Sequence, residues 1–150
     1  MKVNGTPTRS IWRVEAQPTV EIIDQTALPH AYRILRLTTL EDAAHAIRSM
    51  QVRGAPLIGA TAAYGVALAL EGNAGDEMLA TAIATLGATR PTAVNLHWAL
   101  ARMERHLAPL PVSARCLAAW REAAAINDED VAQNQAIGAH GLDLLKPLTE

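Results

Sequence analysis

Phenylalanine is absent from this chain of 150 residues, and its aromatic side chains are Trp12, Trp98, Trp120, Tyr32 and Tyr64. Without large rings, the core has to be assembled from Ala, Leu, Ile and Val. That composition favours closely packed helices over a large β-sandwich. Cysteine is nearly absent too: Cys116 stands alone, which excludes an internal disulfide and fits a reducing compartment. Excess charge is also missing. A formal net charge of −2 supplies no basic field, so sequence-independent nucleic-acid binding, which rests on many Lys/Arg–phosphate contacts, is not expected. The longest uncharged apolar stretch, Pro56 to Leu70, falls short of the roughly 20 residues that cross a bilayer. Met1 to Ser10 lack the apolar core of a signal peptide. These absences describe a soluble, cytoplasmic protein with neither a membrane nor a nucleic acid as partner.

Ordinary catalytic constellations are missing as well. The histidines at 30, 45, 97, 106 and 140 include no pair at zinc-ligand spacing with a third ligand nearby, so no metal site is expected. No glycine-rich phosphate loop is present. Cys116 falls in helical sequence beside Arg115 and Leu117 with no histidine near enough to activate it, and it reads as packing. His45 and His106 read as solvated helix positions. His97, close to Asn95, reads as structural, and Asp128-Glu129-Asp130 as a solvated helix face. The chain therefore offers no catalytic acid, base or nucleophile.

What it does offer is a repeated arrangement of arginine, proline and helix. Arg53 opens Arg53-Gly54-Ala55-Pro56 ahead of an alanine-rich helical stretch. Arg90 opens Arg90-Pro91-Thr92-Ala93-Val94-Asn95 ahead of a second one. Proline is tolerated near the first turn because the N–H it lacks has no intrahelical partner there. A helix N-terminus carries about half a positive charge, so a neighbouring cation is unfavourable unless an anion arrives. Unpaired N–H groups, the helix dipole and a guanidinium fork together suit a phosphate. One such site could equally be an arginine neutralised by an Asp or Glu. Two in one short chain favour an anionic ligand.

At this length one domain is expected, of α+β class and mostly helical. Residues 1–38 read as a small antiparallel sheet and 39–150 as a helical array, together making one unit. Ile11-Trp12-Arg13, Thr19 to Ile23 and Tyr32 to Leu37 are the candidate strands, with turn chemistry at Asp24 to Pro29. Thr38-x-x-Glu41 reads as a capping box for a helix presenting Leu40, Ala43, Ala44 and Ile47 and ending near Met50. Pro56 to Leu70 should be a helix buried on most sides. Gly59 and Gly65 within it each cost about 1 kcal/mol relative to alanine, which points to close packing by another backbone. Asp76 is placed to cap a helix with Leu79, Ile83 and Leu86. The helix after Arg90 presents Leu96, Leu100, Met103 and Leu107 and stops at Pro109-Leu110-Pro111. Ser113 can cap the last helical segment, as one helix or two with a break near Asn127 to Asp130. The closing Lys146-Pro147-Leu148-Thr149-Glu150 reads as a link toward more protein.

Val52-Arg53-Gly54-Ala55-Pro56-Leu57-Ile58-Gly59, with Ala62-Ala63-Tyr64-Gly65-Val66 after it, resembles the methylthioribose-1-phosphate isomerase family. That family also holds the regulatory α, β and δ subunits of translation factor eIF-2B and ribose-1,5-bisphosphate isomerase. The likeness includes Asp24-Gln25-Thr26, Leu28-Pro29-His30, Thr89 to Leu96, and Asn134-x-x-Ile137-Gly138-x-x-Gly141. The resemblance implies that Arg53, Gly54, Ala55 and Arg90 bind the phosphate of a sugar phosphate. It also implies a homodimer, no cofactor, and a second, Rossmann-like half that carries the catalytic cysteine and aspartate. Cys116 does not stand in that cysteine motif. The implied reaction is the aldose–ketose isomerisation of 5-methylthioribose 1-phosphate in methionine salvage. This chain would supply the phosphate-binding half of the site and be inactive alone. Two alternatives remain within the family: ribose-1,5-bisphosphate isomerase, and a non-catalytic regulatory subunit.

Overall fold

The computed structural model describes residues 2–3 and 5–146. The strands come first. The strand β1 (Lys2–Val3) pairs antiparallel with β2 (Thr6–Pro7) as a short hairpin. The antiparallel meander β3 (Ile11–Arg13), β4 (Val20–Ile23) and β5 (Ile34–Leu37) follows. The meander is the expected small sheet, and Ile22 pairs with Ile11 on one side and Leu35 on the other. The hairpin ahead of it was not anticipated from the sequence, although Asn4-Gly5 is a turn dipeptide and Gly5 has φ +83°.

Five helices follow among the described residues: α1 (Leu40–Arg48), α2 (Ala55–Ala69), α3 (Asp76–Gly87), α4 (Val94–Leu107) and α5 (Val112–Leu145). Helix α2 is the centre, and α1, α3, α4 and α5 all pack on it. It carries no charged residue, and every position from Ile58 to Leu68 is buried. The two glycines of α2 have the close neighbours expected of them. A Cβ on Gly59 would lie 2.9 Å from the Asn95 carbonyl oxygen of α4. At Gly65 the close neighbours are side chains rather than backbone: Ala43 at 2.9 Å and Leu86 at 3.1 Å. The amphipathic faces of α1 and α4 bury the residues read from the periodicity: Leu40, Ala43, Ala44 and Ile47, and Leu96, Leu100, Met103 and Leu107. On α3, Leu79 and Leu86 are buried while Ile83 is half-buried.

Several helix starts differ from the sequence reading. The capping box of α1 is Thr39 with Asp42, one position beyond Thr38 and Glu41. The Thr39 hydroxyl accepts the Asp42 N–H, while the Asp42 carboxylate collects Thr38 N–H, Thr38 O–H and Thr39 N–H. Burial raises the Asp42 pKa, but these bonds outweigh it and hold the carboxyl below its ordinary value. Gly75 rather than Asp76 occupies the N-cap of α3, and Asp76 is its first residue. Pro111, not Ser113, is the N-cap of α5, and that helix is a single piece of 34 residues running through Asn127 to Asp130. Its charge run stays helical, with two members paired from outside: Asp128 with Arg9, and Glu129 with Arg102. Residues 147–150, read above as a link, lie outside the described residues.

Arg115 is the buried charge that closes the turn between α4 and α5. Its guanidinium donates to the carbonyls of Leu107, Ala108, Leu110 and Ala74 and pairs with Asp76. Leu107 and Ala108 end α4, where the helix dipole favours a cation. The Asp76 side chain is 89 % exposed, so water screens that partner, and the carbonyls matter more. Arg115→Ala should therefore lower unfolding stability by about 2–4 kcal/mol through unsatisfied carbonyls, and Lys, lacking the planar fork, should not restore it. Asp76→Ala should cost under about 1 kcal/mol. Urea denaturation of the three variants tests the ordering.

Candidate functional site

Both arginine segments lead into helices that start without help from their own sequence. Gly54, the N-cap of α2, has φ +89° and ψ 133°, a backbone region that a side chain would strain. It cannot cap with a side chain, and Pro56 occupies the first turn. Ala93 caps α4 equally poorly. Pro91 sits ahead of that helix, in a turn closed by the Ala93 N–H to Arg90 carbonyl bond of 3.0 Å. Neither helix has an acid in its first turn, whereas α1 has Glu41 and Asp42 and α3 has Asp76 and Glu77. Helix α5 also starts without an acid, so that lack alone decides nothing. What distinguishes α2 and α4 is that their starts adjoin. Gly59 and Asn95 are in near contact. Gly59 is the fifth residue of α2 and Asn95 the second of α4, so at 1.5 Å of rise per residue the crossing lies about one turn into α2 and at the very start of α4.

The arginines themselves are held differently. Arg53 is exposed and tethered to the loop after β4: its backbone N–H donates to Gln25 Oε1 and its Nη2 to the Gln25 carbonyl, both at 3.0 Å. Gln25 is in turn fixed by its N–H bond to the Gln51 carbonyl, and buried Asp24 beside it accepts from the Thr26 N–H and O–H. Gln25 is thus a positioning residue that residue-by-residue reading missed, although Asp24-Gln25-Thr26 was among the motifs of the resemblance. Arg90 is half-buried and has no hydrogen bond or ion pair to its side chain among the described residues. Arg102 and Arg115, the other arginines removed from solvent, are both paired with carboxylates. Among the described residues neither Arg53 nor Arg90 meets an Asp or Glu, so no structural ion pair there explains either one. Gly54 and Ala55 stand exposed at the N-terminus of α2.

Next to these helix starts lies a cavity of about 400 Å³. Pro56 and Gly59 of α2, Val94, Asn95 and Trp98 of α4, and Ile126, Glu129, Asp130 and Gln133 of α5 line it. The first turns of both helices therefore face one hollow, while Arg53 and Arg90 are not among its walls. The Arg102 guanidinium grips Glu129 and Glu122 and lies 5.5 Å from the Trp98 ring centroid. Hydrogen bonding to Arg102 holds the Glu129 carboxyl below its ordinary pKa. Asp128-Glu129-Asp130, read above as a solvated face, is partly that, but Asp130 is half-buried in the wall of the cavity. The remaining candidates are structural. His97 Nε2 lies 2.9 Å from the Pro91 carbonyl and pins the turn before α4. Cys116 is half-buried against the core, and burial together with the Glu71 carboxylate pushes its thiol pKa up, away from the nucleophilic thiolate.

Residues 51–149 match the family described as the initiation factor 2 subunit family. The chain belongs to that family. It is 65 % identical over 148 residues to a methylthioribose-1-phosphate isomerase of Dechloromonas aromatica, covering 99 % of this chain and 41 % of that protein. Among solved structures, the 5-methylthioribose 1-phosphate isomerase of Pyrococcus horikoshii superposes with a TM-score of 0.83 at 35 % identity, over 90 % of this chain and 40 % of that one. The δ subunit of translation initiation factor eIF-2B from A. fulgidus matches equally well, with a TM-score of 0.83 at 35 % identity, over 93 % of this chain and 42 % of that one. The chain thus spans about two-fifths of the length of these relatives.

The contact between Gly59 and Asn95 sets how closely the two helix starts approach. Gly59→Ala would force Cβ against a backbone oxygen that cannot rotate away, at 2.9 Å. Overpacking of this kind costs about 1–3 kcal/mol, against about 1 kcal/mol gained in helix propensity. The variant should be destabilised on balance and should bind inorganic phosphate more weakly than the parent. Thermal unfolding with and without phosphate measures both effects.

Proposed function

We propose that this chain is the phosphate-binding half of an aldose–ketose isomerase that converts 5-methylthioribose 1-phosphate to 5-methylthioribulose 1-phosphate in methionine salvage. The observation that carries this reading is the pair of adjoining, uncapped helix starts of α2 and α4, each preceded by an arginine with no carboxylate partner. The similarity to named isomerases supplies the substrate. Arg53, Gly54, Ala55 and Arg90 hold the phosphate: the guanidinium groups by charge, Gly54 by letting the ligand approach the backbone, and Ala55 by an N–H at the helix start.

The substrate's anomeric carbon is blocked by phosphate, so simple opening to a free aldehyde is unavailable. Acid/base chemistry must act at C1 and C2 while the phosphate is held. This chain contributes the holding and charge stabilisation. The catalytic cysteine and aspartate belong to a second, Rossmann-like half, and the assembled protein works as a cytoplasmic homodimer without metal or organic cofactor. The match to an eIF-2B δ subunit at the same TM-score of 0.83 favours a second reading, a regulatory subunit acting through protein contacts. Two matched arginine segments at adjoining helix starts weigh against it, because a pure interaction module has no need for two anion sites.

Two experiments test the proposal. In a full-length isomerase carrying this chain, Arg53→Ala and Arg90→Ala should each weaken substrate binding by about 1.5–3 kcal/mol, the worth of one charged hydrogen-bonded contact. Wild-type steady-state kinetics in both variants would remove the argument. Residues 1–150 alone, given methylthioribose 1-phosphate, should form no ketose, because a site lacking one wall misplaces C1 and C2, and an error of about 1 Å costs about 100-fold in rate. Turnover near that of an intact isomerase would mean that chemical groups have been overlooked, with Cys116 the first to re-examine.

A further inference from the structure

Arg9, Arg36, Arg102 and Arg115 each hold a carboxylate, so their charge is answered within the fold. Arg53 is held by neutral oxygens alone. Its backbone N–H donates to Gln25 Oε1 and its Nη2 to the Gln25 main-chain carbonyl, both at 3.0 Å. Both ends of Arg53 thus rest on one residue. A neutral acceptor orients a guanidinium and leaves its charge in place, whereas a carboxylate orients it and cancels the charge. Gln25 is braced independently of Arg53. Its own N–H donates to the Gln51 carbonyl at 2.9 Å, and the Asp24 N–H before it to the Arg33 carbonyl at 2.9 Å. The Asp24 carboxylate is engaged with Thr26, whose N–H and hydroxyl it accepts at 3.0 and 2.6 Å, and it forms no ion pair with Arg53 among the described residues. A backbone N–H can only donate, so the Gln25 atom facing Arg53 is the amide oxygen, and the orientation of the carboxamide follows. The Gln25 NH2 has no partner among the described residues. Replacing that NH2 by a second oxygen would break no bond within the fold. It would put a negative charge within one side chain's reach of the Arg53 guanidinium.

Resting on the proposed phosphate site, we infer that Gln25 is the positioning residue of Arg53 and that its neutrality keeps the site open to an anion. The carboxamide fixes the Arg53 main chain just ahead of Gly54, and the Gln25 carbonyl fixes one guanidinium nitrogen. The remaining donors of the fork then keep one aim. Glu at position 25 would retain both bonds and add an ion pair of the kind that Arg36 makes with Glu21. Arg53 would be neutralised in place, and a phosphate would have to compete with a carboxylate tethered beside it at high effective concentration. Position 25 thus decides whether Arg53 is a structural arginine or a ligand-binding one.

Steady-state kinetics with methylthioribose 1-phosphate, together with thermal unfolding, test this in a full-length isomerase carrying this chain. Gln25→Glu should raise KM as far as Arg53→Ala does, with kcat within about twofold, because a phosphate contact acts alike in the ground and transition states. The same variant should unfold no lower than the parent, so that affinity falls while stability does not. Gln25→Ala keeps the carbonyl but loses the amide oxygen. It should raise KM roughly two- to tenfold, the scale of ordering one rotamer-rich side chain on binding. In an Arg53→Ala background the same change should add nothing, because residues that act through one contact are not additive. A parental KM in Gln25→Glu, or a KM rise accompanied by a fall in unfolding temperature, overturns the inference. With Arg53→Ala still impaired, either result leaves the phosphate site standing. A Gln25→Ala effect that persists undiminished without Arg53 does the same, and this double-mutant arm alone decides if Gln25→Glu does not fold. A parental KM in Arg53→Ala removes the phosphate site, and this inference with it.

Discussion

A helix with no charge on any face has to be surrounded, and the architecture of this chain follows from that requirement at α2. Burying Ile58 to Leu68 on all sides calls for four helical neighbours. Their approach is limited by what α2 presents: alanines along most of its length and glycines at the two tightest crossings. Because the core lacks phenylalanine, close helix spacing replaces ring volume as the means of filling space. Tyr64 and Trp120, with centroids 6.0 Å apart, are the aromatic exception inside it. The same crowding that completes the core brings the start of α4 against the start of α2. The candidate site is thus a by-product of how the central helix is packed, and a change at Gly59 is felt in both.

Much of this was legible in the residues. The switch from β-branched segments to a 3.6-residue period marks the change from sheet to helices, and the buried faces of α1 and α4 are the ones their spacing predicts. Gly59 and Gly65 announce close approach because glycine in a helix has a cost that packing must offset. What escaped was decided by alternatives of similar energy. Thr38 and Thr39 are both competent caps, and the choice went to Thr39 because Asp42 can then collect three donors at once. Two of the three consecutive acids of α5 find partners in Arg9 and Arg102, far away in sequence, and no local pattern reveals such partners.

The site itself was half legible. Arg53 and Arg90 stand out because a cation at a helix start violates a simple electrostatic preference, and violations of that kind tend to coincide with function. The cavity was invisible, since its walls come from three helices whose contributions are unremarkable one by one: a tryptophan in an amphipathic pattern, a proline in a first turn, a charge run on a long helix. Arg102 ties these together. By engaging Glu122, Glu129 and the face of Trp98, it fixes the α4–α5 edge of the hollow, and that role follows from tertiary geometry alone.

The two bonds from Arg53 to Gln25 bear on how an anion would be met. A solvent-exposed arginine ordinarily samples many rotamers and must surrender about 2 kcal/mol of that freedom when it is immobilised. Here the sheet's own loop has already taken part of that freedom during folding, using one guanidinium nitrogen and leaving the other donors of the fork unspent. The meander, which otherwise only covers one side of the core, thereby acts as a splint for a side chain on the next element. An anion arriving at α2 would find its cation set in advance, and the rigidity of three short strands would then be a component of affinity.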